Sequence, residues 1–491
     1  MDYRFYSCLV WPCHLEAAVK DMIDLAPFKD VTIAVFGLAR SGLVAAEALQ
    51  KGGAYVWAWD DSEDRRQAAA ARGITLVDLY REDLGPVKTL VLSPGVPLHH
   101  PKPHPVVLRA RSAGCEIIGD IDLLGRVQKT AKYIGITGTN GKSTTTALIG
   151  HILKKIGRTA EVGGNLGIPV LSLKPLGPDD IYVLEMSSYQ LDLTSSIVFD
   201  VSVLLNISSD HLDRHGDMAG YAAAKEEIFK GQGKTETAII GIDDPICSKI
   251  HDQLRAKSAQ KIIPVSTEKK PSGGIYVENG VIVDDTEGFK KKAVILTDIE
   301  TLPGHHNWQN AAAAYAAIRA LGTAPAEIAQ AMHSYPGLSH RQERIAYVDD
   351  VLYINDSKAT NVDSAARALS CYSNIYWIAG GRGKDGGFEP LEPFLPHVRS
   401  AYLIGEAAEL IADFLTDKVT YHLCGNLVTA VQQAHQDALT DHLSTPVVLL
   451  SPACASFDQF KDFEDRGNRY RAIVAALPGQ HRSPQSEGIA A

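Results

Sequence analysis

The sequence lacks several features that would assign it to other classes of protein. No apolar run reaches the ~18 residues that a membrane-spanning helix needs. There is no CxxC pair, and the 7 cysteines are widely scattered, which indicates reduced thiols rather than disulfides or a zinc site. A basic excess is also missing, because the formal net charge is −10, and this argues against binding to nucleic acid or to acidic membrane surfaces. We therefore expect a cytoplasmic protein with no nucleic-acid partner and no membrane insertion.

What is present is typical of a large globular protein. At 491 residues, with 45% hydrophobic and 22% charged residues, the chain is too long for one core and predicts two to four domains. Short Val/Ile/Leu runs bounded by Gly, Asp and Pro alternate with Ala-rich helical stretches, a pattern that indicates parallel sheets covered by helices on both faces. Ligands bind at the carboxyl ends of such strands.

The most informative segment is a glycine turn between an apolar strand and a helical stretch. In residues 138–143, with the sequence GTNGKS, backbone N–H groups are expected to surround phosphate oxygens at the start of the helix. Lys142 would reach the β- and γ-phosphates, and Ser143 would offer its hydroxyl to magnesium. The spacing is shorter than in a standard P-loop, because Ile136 stands where that loop has its first glycine. The segment predicts an ATP site of a variant class.

Two further polar segments follow predicted strands of the same region. Glu185 follows the strand 182–184 and is a natural magnesium ligand, whereas the serines next to it are equally explained as helix caps. His211, between two aspartates after the strand 201–205, predicts a metal or phosphate site. Lys225, by pattern alone, is a solvated helix cation.

Asn307 and Asn310 lie three residues apart at the start of an Ala-rich helix. This spacing places them on one helix face, which suits hydrogen bonding to an adenine or amide ligand. Capping of the helix by His306 or Asn307 explains the pattern equally well.

The carboxyl-terminal third carries polar segments at residues 355–361, 380–385 and 451–461, each after a predicted strand. We expect them to meet at one sheet edge, with a cationic set that neutralises a phosphoryl group or holds a carboxylate. For each cation alone, a surface role is the simpler interpretation. The set consists of Arg341, Lys358 and Lys384.

The amino-terminal third opens with a strand and the turn 37–42, which has Ala39 in place of the middle glycine of a dinucleotide fingerprint. Asp60 and Asp61 end the next strand, where a ribose hydroxyl can be bound. A nucleoside diphosphate fits this turn better than NAD does. A tight strand–helix turn without a ligand is the alternative.

These motifs together predict an α/β fold of three domains, each built on a mainly parallel sheet. Residues 26–128 form a Rossmann-like domain, residues 129–337 a P-loop ATPase-like domain, and residues 338–478 a second Rossmann-like domain. We expect residues 1–25 to be a loosely ordered extension, with Met22 as the working start, and residues 479–491 to be a disordered tail.

The motifs resemble the Mur ligase family of peptidoglycan synthesis over about residues 26–477. The most specific segments are 138–144, 355–361 (NDSKATN) and 451–460 (SPACASFDQF), and the last two favour a member that adds D-glutamate. The resemblance implies a monomeric ligase that uses ATP and two magnesium ions to join D-glutamate to UDP-N-acetylmuramoyl-L-alanine through an acyl phosphate.

The resemblance also implies roles for individual residues. The catalytic set would be Lys142, His211, Lys225 and Lys358. The ATP contacts would be Gly138, Thr139, Asn140, Gly141, Lys142, Ser143, Thr144, Asn307, Asn310, Arg341 and Asp356. The UDP-substrate contacts would be Leu38, Ala39, Arg40, Ser41, Asp60, Asp61, Ser93, Gly95, Asn165, Ser187 and Gln190. The D-glutamate contacts would be Thr360, Lys384, Ser456 and Phe463. The metal ligands would be Ser143, Glu185, His211 and a carbamylated Lys225. At position 61 the family more commonly has Thr.

Two other classes stay open at this point. A folylpolyglutamate-synthase-like ligase would also add glutamate to an acyl group, although the additional amino-terminal nucleotide-type domain favours the first interpretation. A P-loop NTPase without ligase activity, or a dinucleotide oxidoreductase, would use only one of the two glycine turns.

Overall fold

The computed structural model describes residues 22–165, 167–257, 259–383, 386–441 and 443–483. These residues form three mainly parallel α/β sheets, as the sequence predicts. The chain divides into two compact units: the first runs up to Val294 and includes Gln309–Met332, and the second contains Ile295–Trp308 and the chain from His333 onward. No helix within the described ranges has both the length and the hydropathy that crossing a membrane requires.

The first sheet has the strand order β2-β1-β3-β4, and all its strand pairs are parallel. Its strands are β1 Thr32–Phe36, β2 Tyr55–Trp59, β3 Thr89–Leu92 and β4 Glu116–Ile118. Its helices are α1 Arg40–Lys51, α2 Glu63–Ala71, α3 Pro105–Ser112 and α4 Asp120–Val127. Because the strands run in the same direction, Gly37, Asp60 and Ser93 follow three adjacent strands at one edge of the sheet.

The central sheet has nine strands in the order β13-β12-β11-β10-β9-β8-β5-β7-β6, parallel from β6 to β11. Its strands are β5 Lys132–Thr137, β6 Ala160–Gly164, β7 Ile181–Glu185, β8 Val201–Leu204, β9 Thr237–Gly241, β10 Lys261–Ser266, β11 Ile275–Glu278, β12 Val281–Asp284 and β13 Lys291–Ile295. The helices that follow are α5 Lys142–Lys155, α6 Ser188–Leu191, α7 Leu212–His215, α8 Met218–Glu226, α9 Pro245–Lys257, α10 His305–Ala320 and α11 Pro325–His333. Strands β8, β5 and β7 are adjacent, so the glycine turn lies between the two other polar segments that follow strands.

The third sheet has the order β18-β17-β16-β19-β15-β14-β20, with β14 antiparallel to both of its neighbours. Its strands are β14 Glu343–Val348, β15 Val351–Asn355, β16 Ile375–Gly380, β17 Val398–Ile404, β18 Thr420–Gly425, β19 Val447–Leu450 and β20 His481–Arg482. Its helices are α12 Val362–Leu369, α13 Ala408–Leu415, α14 Leu427–Thr440 and α15 Phe463–Ala475. Three polar segments follow β15, β19 and β16, which are neighbours, and this confirms that they meet at one edge.

Both predicted ends of the folded region need correction. Ile23 and Leu25 are buried, and the N–H of Ile23 donates to the Leu171 carbonyl at 3.2 Å, so the prediction of a loosely ordered segment is wrong for residues 23–25. The prediction of a disordered tail is wrong for His481 and Arg482, because both residues pair with β14. Residues 1–21 and 484–491 lie outside the described residues. The domain boundaries at residues 128 and 337 stay predictions.

Helix α4 ties the first sheet to the central one. The buried carboxylate of Asp122 accepts hydrogen bonds from the backbone N–H groups of Ser195 and Ser196, each at 2.7 Å, and from Arg126 at 2.8 Å. A side chain at Gly125 would come within 2.3 Å of Ile197. The residues after α6 are therefore fixed against the first sheet.

Candidate active site

The glycine turn is shaped by two glycines with left-handed or extended backbone. Gly138 has φ 150° and Gly141 has φ 85°, and Gly141 is the residue that precedes α5. A Cβ at Gly141 would lie 2.0 Å from Oδ1 of Asn310, so any side chain there would collide with that amide. The fold thus brings together two of the predicted ATP contacts, Gly141 and Asn310. The amine of Lys142 donates to the Gly138 and Thr139 carbonyls, both at 2.9 Å.

Asn206, to which the sequence analysis gives no role, fixes the turn from the neighbouring strand. Its Oδ1 accepts the N–H of Asn140 at 2.9 Å, and its carbonyl accepts the N–H of Thr139 at 2.9 Å. Its amide N–H donates to Gln309 at 3.3 Å. The available signal was its position as the first polar residue after the run 201–205.

Glu185 has the environment expected of a metal ligand. Its side chain is buried, and Oε1 accepts a hydrogen bond from the Asn165 amide at 2.7 Å. Oε2 is also buried and has no hydrogen-bond partner among the described residues. An unpaired buried carboxylate oxygen is costly unless a cation neutralises it, so the residue fits a bound divalent ion. Asn165, predicted to contact substrate, here orients this carboxylate.

Lys225 is not the solvated cation that its sequence pattern indicated. It is 1% exposed, on the face of α8 that also buries Tyr221 and Ala224. Its amine donates to the Gly138 carbonyl at 2.9 Å and lies 4.5 Å from the centre of the Tyr221 ring. Burial, and then the positive charge of Lys142, lower the pKa of Lys225 to about 7. A neutral amine is therefore readily available beside the glycine turn.

His211 directly precedes α7 and has a left-handed backbone conformation, with φ 53°. Its side chain is 48% exposed and its ring centre lies 5.2 Å from that of Tyr189. Burial lowers the pKa of His211, which favours the neutral imidazole that binds metals. No group of three or more His, Cys, Asp and Glu residues in the described part of the chain is arranged to hold a metal. The predicted metal set of Ser143, Glu185, His211 and Lys225 stays a prediction.

The residues Ser187 and Gln190 form a capping box at the start of α6, with Gln190 N–H donating to Ser187 Oγ at 3.2 Å. Ser187 thus caps the helix, as the alternative explanation of these serines expected. The predicted contact of Ser187 and Gln190 with the UDP-linked substrate stays a prediction. His215 fixes the same helix, because its Nε2 lies 2.9 Å from Ser188 Oγ. Arg214 donates to the Gly95 carbonyl at 2.9 Å. The sequence gave no role to Arg214 or His215.

At the edge of the first sheet, Asp60 stabilises the turn that follows β1. Its carboxylate accepts the Leu38 N–H at 2.6 Å and the Ser62 N–H at 2.8 Å, and it is buried. The Leu38 side chain is also buried, so only its backbone lies at the turn. Ser93 closes the turn from β3 by donating to the Gly37 carbonyl at 2.7 Å. The other predicted residues of the turn are exposed or half-buried, namely Ala39, Arg40 and Ser41.

In the second unit, Asp356 fixes the loop that carries Arg341. Its carboxylate accepts the Gln342 N–H at 3.1 Å and the Ser451 hydroxyl at 2.8 Å. Burial raises the pKa of Asp356 to about 7. The amine of Lys358 lies 3.7 Å from the centre of the Phe463 ring, so two residues predicted for different ligands are in contact. Asn307 donates to the Pro303 carbonyl at 2.8 Å.

Arg466, which sequence analysis missed, joins the three loops at the edge of the third sheet. It is fully buried, and its guanidinium donates to the Ser357 hydroxyl and carbonyl, at 3.0 and 2.9 Å, and to the Cys454 carbonyl at 3.2 Å. A longer bond of 3.5 Å reaches the Gly380 carbonyl. Burial lowers the pKa of Arg466 to about 10. In the sequence, the one signal that Arg466 is buried was its place in a helical segment next to Gly467.

The predicted D-glutamate contacts lie around these loops. Thr360 follows β15, Phe463 begins α15, and Ser456 is buried in the loop after β19. The Phe463 carbonyl accepts the Ser357 hydroxyl at 2.8 Å. Lys384 lies outside the described residues.

Comparisons with known proteins agree with this geometry. Residues 136–318 match the Mur ligase middle domain. The chain is 51% identical over 462 residues to the UDP-N-acetylmuramoylalanine–D-glutamate ligase of Caulobacter vibrioides, covering 93% of this chain and 98% of the relative. It is 49% identical over 461 residues to the ligase of the same name from Rhodospirillum rubrum, covering 93% and 97%.

The chain belongs to the UDP-N-acetylmuramoylalanine–D-glutamate ligases of the Mur ligase family. Solved structures show the same fold at low identity. The UDP-N-acetylmuramate–alanine ligase of Thermotoga maritima aligns with this ligase at a TM-score of 0.55 and 17% identity, over 90% of this chain and 99% of that one. A pseudomurein peptide ligase type C from Methanothermus fervidus aligns at 0.53 and 18%, over 91% and 99%.

Proposed function

We propose that this protein adds D-glutamate to UDP-N-acetylmuramoyl-L-alanine in peptidoglycan precursor synthesis, at the expense of ATP. The observation that carries the proposal is the 51% identity over 462 residues to a ligase of that name. The glycine turn with Lys142 is suited to ATP, and the loops around Arg466 are suited to D-glutamate. We propose that the ligase acts in the cytoplasm as a monomer.

The first step activates the substrate carboxylate. One of its oxygens attacks the γ-phosphorus of ATP, and the bond from that phosphorus to the β–γ bridging oxygen breaks. The products are ADP and an acyl phosphate. Catalysis of phosphoryl transfer is mainly positioning and charge neutralisation. Lys142 and Lys358 carry the positive charge for this step, and the backbone N–H groups of residues 138–143 surround the phosphates.

The second step forms the amide. The amine of D-glutamate attacks the acyl carbon, the tetrahedral intermediate expels phosphate, and a proton leaves the nitrogen. We propose that Thr360, Lys384, Ser456 and Phe463 hold D-glutamate, with Arg466 fixing the loops behind it. ATP is contacted by Asn307, Asn310, Arg341 and Asp356 in addition to the turn.

Magnesium fits the residues beside the turn, because Glu185 has a buried carboxylate oxygen without a partner among the described residues. We propose Ser143, Glu185, His211 and a carbamylated Lys225 as its ligands, for two ions. Bound magnesium would supply neutralisation of phosphate charge. Carbamate formation joins the neutral Lys225 amine to CO₂ and releases a proton, and the burial of Lys225 favours that neutral amine.

The carbamate has a direct test. We expect Lys225→Ala to reduce turnover by at least about 10³-fold, because the loss of a metal ligand removes charge stabilisation of the transferring group. Small carboxylates such as formate should restore part of the activity of the variant, and they should not raise the activity of the wild-type protein. Undiminished turnover of Lys225→Ala would refute the role.

The reaction itself is tested with radiolabelled D-glutamate, ATP, Mg²⁺ and UDP-N-acetylmuramoyl-L-alanine, with the product separated by chromatography. Label in a UDP-linked product supports the proposal. Product formed only from a folate would support the folylpolyglutamate-synthase-like alternative. Phosphate release without an amide product would support an NTPase without ligase activity.

A further inference from the structure

Arg214, on α7, holds the loop that follows β3. Its Nη1 donates to the Gly95 carbonyl at 2.9 Å, and its Nη2 donates to the Pro94 carbonyl over a longer distance of 3.5 Å. The loop belongs to the first sheet, whereas α7 follows β8 of the central sheet, and both lie in the first compact unit. The arginine therefore fixes a loop of one sheet to a helix of the other.

The guanidinium is itself held by an aromatic side chain on α6. Its central carbon lies 4.7 Å from the centre of the Tyr189 ring, within the range of a cation–π interaction. His215 stacks on the same ring, with ring centres 5.3 Å apart and planes inclined by 8°. The Nε2 of His215 lies 2.9 Å from Ser188 Oγ. Residues of α6 and α7 thus give Arg214 a defined orientation.

These two helices follow the segments that carry two of the predicted magnesium ligands. Glu185 ends β7 shortly before α6, and His211 directly precedes α7. On the other side of the contact, the loop after β3 carries Ser93 and Gly95, which are predicted contacts of the UDP-linked substrate. Arg214 therefore connects the loop predicted to bind this substrate with the segments predicted to bind the metal.

Stability alone does not account for this arrangement. The Nε of Arg214 is buried and has no hydrogen-bond acceptor among the described residues, which costs free energy. Gly95 is exposed, and a Cβ built on it would meet no atom within 4 Å, so the space beside its backbone is open to a ligand. A loop that is already ordered binds a ligand with a smaller loss of conformational entropy.

We propose that Arg214 is a positioning residue, which holds the loop after β3 in the conformation that binds the UDP-linked substrate. The inference rests on the proposed function, which supplies that substrate. The alternative is a purely structural tie between the two sheets. Such a tie would lower the amount of folded enzyme, and hence the apparent kcat, but would leave the KM of every substrate unchanged.

The test measures binding of UDP-N-acetylmuramoyl-L-alanine and, separately, of ADP to the full chain by calorimetry. We expect Arg214→Met to weaken binding of the UDP-linked substrate by about tenfold, because the loop must then be ordered on binding. Binding of ADP should change by less than about twofold. In the ligase assay, the KM for the UDP-linked substrate should rise by about tenfold, and the KM for ATP should not.

Conservative variants test the orientation of the guanidinium. Arg214→Lys keeps the charge but lacks the planar fork that reaches two carbonyls, and it should weaken substrate binding by about threefold. This variant keeps the test decisive if Arg214→Met does not fold. Tyr189→Leu, which removes the ring beside the guanidinium, should also weaken binding by about threefold. Tyr189→Phe keeps the ring and should retain the wild-type affinity.

Arg126 on α4 is the matched control, because it also helps to tie the first sheet to the central one. It donates to Asp122 at 2.8 Å and to Glu116 at 2.9 and 2.6 Å, and neither partner is a predicted site residue. We expect Arg126→Met to lower the free energy of unfolding and to bind the UDP-linked substrate with normal affinity.

Several results would overturn the proposal. One is normal affinity for the UDP-linked substrate in a folded Arg214→Met protein, and another is an equal loss of affinity in Arg126→Met. Equal weakening of the UDP-linked substrate and of ADP would also contradict it, because that result indicates a general loss of structure. If the wild-type protein does not bind the UDP-linked substrate, the proposed function fails together with this inference, and that failure is seen before any variant is compared.

Discussion

At the scale of single residues, Gly141 is required for two independent reasons. Its φ of 85° is a conformation that side chains disfavour, and a Cβ would lie 2.0 Å from Asn310 Oδ1. The glycine is therefore a consequence of how closely α10 approaches the turn.

We expect Gly141→Ala to raise the KM for ATP by at least about tenfold and to lower the free energy of unfolding by about 1–2 kcal/mol. Gly157→Ala is a matched control, because Gly157 has φ 76° at the other end of α5 but has no atom near the Cβ position. It should cost stability with no change in ATP affinity. The measurements are steady-state kinetics and denaturant unfolding. Equal effects of both variants on the KM for ATP would contradict the steric explanation.

Asp120 is a residue whose charge is costly at neutral pH. It is 5% exposed at the start of α4, and its Oδ1 has no partner among the described residues. Burial raises the pKa of Asp120 to about 6, above the model-compound value of 3.8 that applies when the chain is unfolded. Because the folded pKa is the higher one, the folded state binds more protons between these values. The contribution of Asp120 to the free energy of unfolding is therefore fully present below pH 3.8, and it is lost as the pH rises through about 6.

We expect Asp120→Asn to be more stable than the wild-type protein at pH 8, by up to about 3 kcal/mol. The difference should disappear well below pH 3.8, where the carboxyl group is protonated in both the folded and the unfolded state. Urea unfolding at several pH values measures it. Asp64→Asn, at an exposed position, should show no such pH dependence. A difference between Asp120→Asn and wild type that is constant over this pH range would contradict the explanation.

At the scale of elements, one helix holds three loops. Helix α15 places Arg466 against the loops after β15, β16 and β19, and its guanidinium replaces the water that those carbonyl groups would otherwise bind. The donors of a guanidinium form a planar fork, and the three N–H donors of lysine cannot reproduce its geometry. The loops are therefore expected to depend on this side chain for their conformation.

We expect Arg466→Lys to lower the free energy of unfolding by about 2–3 kcal/mol, because buried carbonyl groups lose their donors. The KM for D-glutamate should rise by more than the KM for the UDP-linked substrate. Arg469→Lys is the matched control on the same helix, because Arg469 is 59% exposed and pairs with Asp465. Thermal unfolding and substrate titrations distinguish the two variants. Similar KM changes for both substrates in Arg466→Lys would argue against a local effect.

At the scale of the whole molecule, the first described residues of the chain contribute to the core. Ile23 and Leu25 belong to the same core as Ile33 and Val35 of β1, and Leu25 is fully buried. Their N-terminal neighbour Met22 packs on this core and is partly exposed.

We expect a chain beginning at Met22 to keep its stability and activity. A chain beginning at Ala26 should lose about 3–5 kcal/mol of unfolding free energy, because two large buried side chains are removed. Denaturant unfolding of both truncated proteins, with ligase assays, tests this. Equal stability of the two chains would show that the packing of residues 23 and 25 contributes nothing.

The places of many candidate site residues in the fold were predictable because their signals are local, whereas their roles stay predictions. The glycine turn, the acids after β2 and the three carboxyl-terminal segments each follow a strand, and Glu185 ends β7. Parallel strands place their carboxyl ends at one edge of the sheet. The burial of Lys225 was not predictable in this way, because its pattern on α8 matches that of a solvated cation. Asn206, Arg214, His215 and Arg466 were missed for the same reason, since their contacts come from other elements.

The sequence by itself determined the α/β class, the three sheets, the glycine turn and the family, because strand periodicity and motif spacing are encoded within short segments. Only the tertiary structure decided which polar groups are buried and what they contact. Lys225 meets Gly138 across 87 positions, Arg466 meets Ser357 across 109, and His104 meets Asp61 across 43. Desolvation and hydrogen-bond geometry depend on such distant neighbours, and they set the pKa of Lys225 and the orientation of Asp61.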